Sequence, residues 1–164
     1  MTRIIWILAL LAITASTSRA QFDFSNAPFV VSPGIKLGFA SGNAGGFTVG
    51  LELSAGYWDR ATLLDAFGGT FLGGVIDYDL SVGGRGKLHI GAEGTFGPVG
   101  VDVGPTLLFE NGTTRLATTV TPFIGVMAMP YYSMTFGDDQ PTITEWGAYG
   151  KLPFRTDGGR LVEY

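Results

Sequence analysis

The chain has 164 residues, of which 10 are Lys or Arg and 14 are Asp or Glu, giving a formal net charge of −4. The acidic balance argues against nucleic acid as a partner. The length suits one domain, and with no cysteine in the sequence its stability has to come from the fold rather than from disulfides.

At the N-terminus Arg3 precedes an almost wholly apolar run from Ile4 to Ile13, and Ser18-Arg19-Ala20 supplies a small-x-small cleavage site before Gln21. Residues 1–20 therefore read as a secretory signal peptide. The apolar run is about half the roughly 20 residues that a spanning helix requires. Loss of Arg3 and Arg19 makes the mature chain more acidic still. Residues 21–33, with Asn26 and Pro28, form an irregular lead-in.

Residues 34–154 carry repeated two-residue alternation, the signature of strands with one apolar face. The first strand runs from Gly34 to Ala40, with Ile35, Leu37 and Phe39 on one face and Lys36 between them. The loop from Ser41 to Gly46 leads to the clearest segment, Phe47 to Trp58. There Phe47, Val49, Leu51, Leu53, Ala55 and Tyr57 oppose Thr48, Gly50, Glu52, Ser54 and Gly56. Asp59 to Gly69 is the longest break and contains ATLLDAF, which suits one short helical turn.

The third strand, Thr70 to Val82, sets Leu72, Ile76, Tyr78 and Leu80 against Asp77, Asp79 and Ser81. After GGRG, the fourth (Lys87 to Phe96) sets Leu88, Ile90, Ala92 and Phe96 against Lys87, His89, Gly91, Glu93 and Thr95. The fifth, Val99 to Phe109, carries Asp102 on its polar face and ends at Asn111-Gly112, a strong hairpin signal. The sixth, Thr114 to Ala128, carries Arg115, Thr119 and Thr121 on its polar face. Pro130 ends it, because proline cannot donate to a sheet ladder, and a shorter seventh strand follows through Met134 and Phe136. Beyond GDDQP, the eighth runs from Ile143 to Phe154 with Trp146, Ala148 and Leu152 opposite Glu145, Tyr149 and Lys151. About eight strands result, and ten are within the error of the count.

Alternation alone does not say which face meets the core, since a lipocalin-like carrier of an apolar ligand uses the same period turned inward. The glycines decide it. Gly38, Gly50, Gly56, Gly91, Gly100 and Gly104 fall on the polar face, where exposed strand glycine would only weaken a sheet. They suit the interior of a narrow barrel, which is just wide enough for side chains to interlock. The expected interior then holds Lys36, Glu52, Asp77, Asp79, Lys87, His89, Glu93, Asp102, Arg115, Glu145 and Lys151. These should form a plug of ion pairs with opposite charges in similar number, because an unpaired buried charge costs several kcal/mol. Aromatics near strand ends (Phe39, Phe47, Tyr57, Trp58, Phe71, Phe96, Phe109, Phe136 and Phe154) suit two interfacial girdles. Strands of about ten residues match the roughly 9 to 11 needed to cross a bilayer when tilted.

In this pattern the chain resembles the small eight-stranded outer-membrane barrels of Gram-negative bacteria. The resemblance is architectural and implies an antiparallel up-and-down transmembrane β-barrel that sits in outer-membrane lipid. Tyr164 resembles the terminal aromatic that such chains present to the barrel-assembly machinery. Residues 155–164 depart from that signature, since Gly158 and Arg160 occupy positions that it fills with apolar residues, so this segment reads as a late last strand or a tail.

No residue pattern supports catalysis. His89 is the one histidine, and Glu93 on the same face is roughly 13 Å away at about 3.3 Å per residue. A cross-strand partner among Asp77, Asp79 and Asp102 would leave His89 as a bonded interior residue, and no serine sits in a G-x-S-x-G elbow. No cofactor or metal site is expected: there is no His/Cys cluster, Asp77 and Asp79 suit neutralisation by Lys87 or Arg115, and Asp138-Asp139 suits a solvated turn. The expected function is that of a structural or binding barrel in the outer membrane, with a narrow channel and a soluble periplasmic carrier as alternatives. A lipid-modifying enzyme built on His89 is the remaining reading.

Overall fold

The computed structural model describes residues 27–42, 44–59, 69–125, 128–138 and 140–156. The expected signal peptide, residues 21–26 of the expected lead-in, the ATLLDAF segment and residues 157–164 lie outside them. Eight antiparallel strands close into a barrel: β1 (Phe29–Ala40), β2 (Gly46–Asp59), β3 (Thr70–Ser81), β4 (Gly86–Phe96), β5 (Val99–Glu110), β6 (Thr113–Ile124), β7 (Ala128–Gly137) and β8 (Gln140–Lys151). Each pairs with its successor, and β1 joins both β2 and β8. A two-residue strand, β9 (Phe154–Arg155), continues along β1 past Pro153, which has no N–H for the ladder.

A row of partners that leaves β1 at Val31 passes through Ala55, Gly74, Ala92, Val103, Val120, Met134 and Thr144. It returns to β1 at Ser41, whose N–H donates to the Thr144 carbonyl at 2.8 Å. That climb is the stagger that tilts barrel strands, typically by about 35 to 45°. The Asn111-Gly112 hairpin forms as its sequence requires, with positive φ at both residues (51° and 75°), the type I′ geometry that matches strand twist.

Alternation fixes the faces. Ile35, Leu51, Ile76, Ile90, Val103 and Trp146 point outward and are exposed, whereas Lys36, Glu52, Asp77, His89, Asp102 and Glu145 are buried inside. Among the described strand residues, the outward positions carry no Asp, Glu, Lys or Arg except Asp59 at the end of β2. Interior glycines give room to larger neighbours: a Cβ on Gly100 would strike the Phe123 ring, and one on Gly50 the Asp79 carboxylate.

Four expectations need correction. β1 begins at Phe29 rather than Gly34, so Val30 and Ser32 of the supposed lead-in face the interior. Pro130 does not break the sheet but sits inside β7, paired with Ala148 of β8 and beyond the last β6 partner of β7, Tyr131. Other strand prolines follow the same rule: the β4–β5 ladder skips the position of Pro105 and the β6–β7 ladder that of Pro122, while each keeps partners on its other side. Trp58 and Phe71 are not girdle residues; both are buried inside, clustered with Val30. Arg115 has the parity of an interior residue but is exposed, near the tip of the β5–β6 hairpin and short of the first β6–β7 pair at Thr118.

Candidate functional site: the charged interior and its two mouths

The interior charges fall into connected groups. Towards the end that carries the β1–β2 and β3–β4 loops, Lys36 lies 2.7 Å from Asp79, 3.4 Å from Asp77 and 3.7 Å from Glu145. Lys87 bridges Asp79 and Glu145, at 2.8 Å to each. The Tyr131 hydroxyl donates to Glu145 at 2.5 Å, and Thr48 donates to the same oxygen at 3.3 Å. Six strands thus converge on one network, because residues two apart on a strand share a face while neighbouring strands bring their inward residues alongside.

The second group lies towards the opposite end. Lys151 donates to both oxygens of Glu93 at 2.9 Å, to Ser54 Oγ at 3.0 Å, and pairs with Glu52 Oε1. Ser54 donates to Glu93 at 2.5 Å. Tyr149 separates the two groups: Lys36 Nζ lies 5.5 Å and Lys151 Nζ 5.2 Å from the centre of its ring. Both ammonium groups therefore gain a cation–π contact in a water-poor interior.

His89, with no exposure to solvent, lies with Nε2 3.1 Å from Asp102 and Nδ1 2.9 Å from Thr106 Oγ1, so its carboxylate partner is Asp102. Thr106 donates to Thr119 at 2.6 Å, and Thr119 bonds Thr135 at 2.8 Å. A carboxylate, an imidazole and a hydroxyl in sequence resemble a nucleophile's relay, but all three groups are buried. The arrangement links hydroxyls of β5, β6 and β7 to the imidazole, while His89 Nε2 and Asp102 Oδ1 lie within ion-pair distance without forming a hydrogen bond.

The structure brings together ten of the eleven residues expected inside, in these three groups. Arg115 joins none of them, and Lys36 takes the place expected of it beside Asp77. The balance shifts with it: among the described interior residues, six carboxylates face three lysines and His89, an acidic excess rather than near equality. Asp77 Oδ1, Asp79 Oδ1 and Glu52 Oε2 are left without hydrogen-bond donors. Asp138 is exposed as expected, and Asp139 lies outside the described residues. No group of three or more His, Cys, Asp or Glu among the described residues is arranged to hold a metal ion.

The two mouths differ. At the first, Arg85 donates through Nε to Glu110 and through Nη1 to the Ser41 carbonyl, each at 3.0 Å. Ser81 Oγ donates to the Ala44 carbonyl at 2.6 Å, so the loops are laced together over the barrel. Sequence reasoning missed Arg85, which sits in a glycine turn with no motif to mark it. At the other mouth, among the described residues, lies a small recess of about 50 Å³ lined by Trp58, Phe71 and Met129 together with Ser54, Glu93 and Lys151. Compared with known proteins, the chain matches no family model and no curated sequence.

Proposed function

We propose that the protein is an outer-membrane β-barrel of structural or binding type, closed to bulk flow by its own side chains and without catalytic chemistry. The observation that carries this reading is the absence of Asp, Glu, Lys and Arg from the described outward strand positions, Asp59 at a strand end excepted. A charged side chain facing the bilayer midplane costs about 2 to 4 kcal/mol, a penalty that water does not impose. The aromatics add support. Phe39 contacts Phe47 and stacks on Trp146 at one end of β1, and Phe29 meets Tyr57 at the other, as girdles at two interfaces require.

A soluble carrier would turn its apolar face inward around a ligand; here that face is outward and the interior is crossed by ion pairs. A channel would need the Lys36–Lys87 network to move aside. The laced loops are too short to offer a large adhesive surface.

The test is cell fractionation combined with gel migration of boiled and unboiled protein in SDS. Sedimentation with outer membranes and a shift on boiling are expected. A soluble protein with no shift would overturn the membrane assignment, and steady conductance in planar bilayers would replace the closed barrel by a pore.

A further inference from the structure

The seams of the wall are not equally joined. Among the described residues β6 and β7 share four ladder pairs, fewer than any other seam of the eight-stranded wall. Three of them, from Thr118–Phe136 to Val120–Met134, lie towards the Arg85 end. In the half nearer the other mouth only Phe123 and Tyr131 pair.

The cause is two prolines on one seam. Backbone groups alternate sides along a strand, and the two-residue turn at Asn111-Gly112 pairs Thr113 with Glu110 of β5, so the even-numbered residues of β6 face β7. In the register of the seam Pro122 stands opposite Tyr132, and Ile124 opposite Pro130. Each of these two successive rungs lacks a donor, because proline has no N–H. Pro105, by contrast, is alone on the β4–β5 seam, with pairs on both sides at Ala92–Val103 and His89–Thr106.

Little inside the barrel offsets the loss. Among the described residues, β6 and β7 place no charged side chain in the interior. The inner face of the weak half carries Thr121, Phe123, Met129, Tyr131 and Ser133, all buried. Across the seam Thr121 donates to Ser133 at 3.1 Å. Phe123 meets the Tyr149 ring edge-on at 6.0 Å and lies 5.4 Å from Lys151 Nζ. Tyr131 bonds Glu145 of β8, which holds β7 on the β8 side. Parting β6 from β7 here therefore breaks one hydroxyl bond, the remaining backbone bonds and ring contacts, but no ion pair.

We propose that this half of the β6–β7 seam opens sideways while the rest of the barrel stays closed, uncovering the uncharged patch of Phe123, Met129 and Tyr131. The opening is a property of the wall and does not depend on whether the outer face meets lipid or water.

The test is amide hydrogen exchange by NMR on the folded, full-length barrel in detergent micelles, since local opening is read directly from loss of protection. Val101, the β5 partner of Pro122 and the β4–β5 partner of Gly94, is the control at the same height. The N–H groups of Ile124 and Tyr132 should exchange at least about tenfold faster than that of Val101, roughly the factor for two absent hydrogen bonds. Pro122→Val, which supplies a donor, should slow them about three- to tenfold and leave Val101 unchanged. Thr121→Cys with Ser133→Cys provides a lock across the seam in a chain with no other cysteine. Once oxidised, it should slow Ile124 and Tyr132 at least about tenfold relative to the same variant kept reduced, and it decides the matter if Pro122→Val does not fold. Exchange of Ile124 and Tyr132 no faster than Val101, or rates indifferent to the lock, would overturn the proposal.

Discussion

Replacing Lys36 with methionine tests whether the interior charges act as a network or as separate pairs. Lys36 is 1 % exposed and is, among the described residues, the one cation within ion-pair reach of Asp77; Asp79 and Glu145 also have Lys87. Methionine keeps most of the volume but leaves the Asp77 carboxylate buried and uncompensated, with Oδ1 already lacking a donor. Removing one partner of a buried pair costs about 3 to 5 kcal/mol, chiefly for the charge left behind. With a slope of about 1 to 3 kcal/mol per molar urea, the unfolding midpoint should fall by at least about 1 M. Lys87→Met should cost less, because Lys36 still reaches both Asp79 and Glu145. The double change Lys36→Met with Asp77→Leu should recover at least about half of the single loss, since it removes the stranded charge too. The assay is urea unfolding of the refolded barrel, followed by its heat-dependent gel shift. A Lys36→Met loss below about 1 kcal/mol, or a Lys87→Met loss that equals or exceeds it, would refute the reasoning and show that water or protons neutralise the carboxylates.

Three other changes probe the outer face, the histidine and the interior packing. Leu51→Arg places a charge at an outward position of β2 that is 69 % exposed; in lipid vesicles it should cost about 2 to 4 kcal/mol by urea midpoint, and a change within about 0.5 kcal/mol would mean that this face meets water. His89→Ala strands Asp102 and Thr106 and should cost about 1 to 3 kcal/mol while leaving insertion and the gel shift intact, whereas an unshifted midpoint would mean that its bonds add nothing. Gly100→Val drives a side chain into the Phe123 ring and should cost about 1 to 3 kcal/mol or prevent closure; a full yield of shifted barrel at the parent midpoint would show that the ring has room to move.

The strand faces were legible because a two-residue period needs no tertiary information. Lys36, Glu52, His89 and Glu145 could each be placed inside from their neighbours alone. What a strand pattern does not encode is height along the barrel. Arg115 and Lys151 have equivalent parity, yet one extends past the rim and the other lies at the base of a recess, a difference fixed by the stagger that carries the row from Val31 to Ser41. Trp58 and Phe71 were misassigned for a different reason. Their parity pointed inward, but aromatics at strand ends suggested interfaces, and the local alternation was the better guide. Pro130 misled because a missing N–H matters only where a partner would have accepted from it. Which carboxylate meets which cation was beyond the sequence, since Asp77 is the ladder partner of His89 while Asp102 is the residue that contacts it.

The loops over one mouth are held by charge as well as by backbone. Arg85 is anchored to Glu110 and Ser41 across three loops, so opening that end would break a charge-assisted pair together with backbone contacts. Each such hydrogen bond is worth about 1.5 to 3 kcal/mol where partly shielded. At the other mouth the Gly97 N–H donates to the Gly69 carbonyl at 2.8 Å and the Gly125 N–H to the Pro98 carbonyl at 2.7 Å, so both ends are tied through the backbone but Arg85 adds a charged pair only at the first.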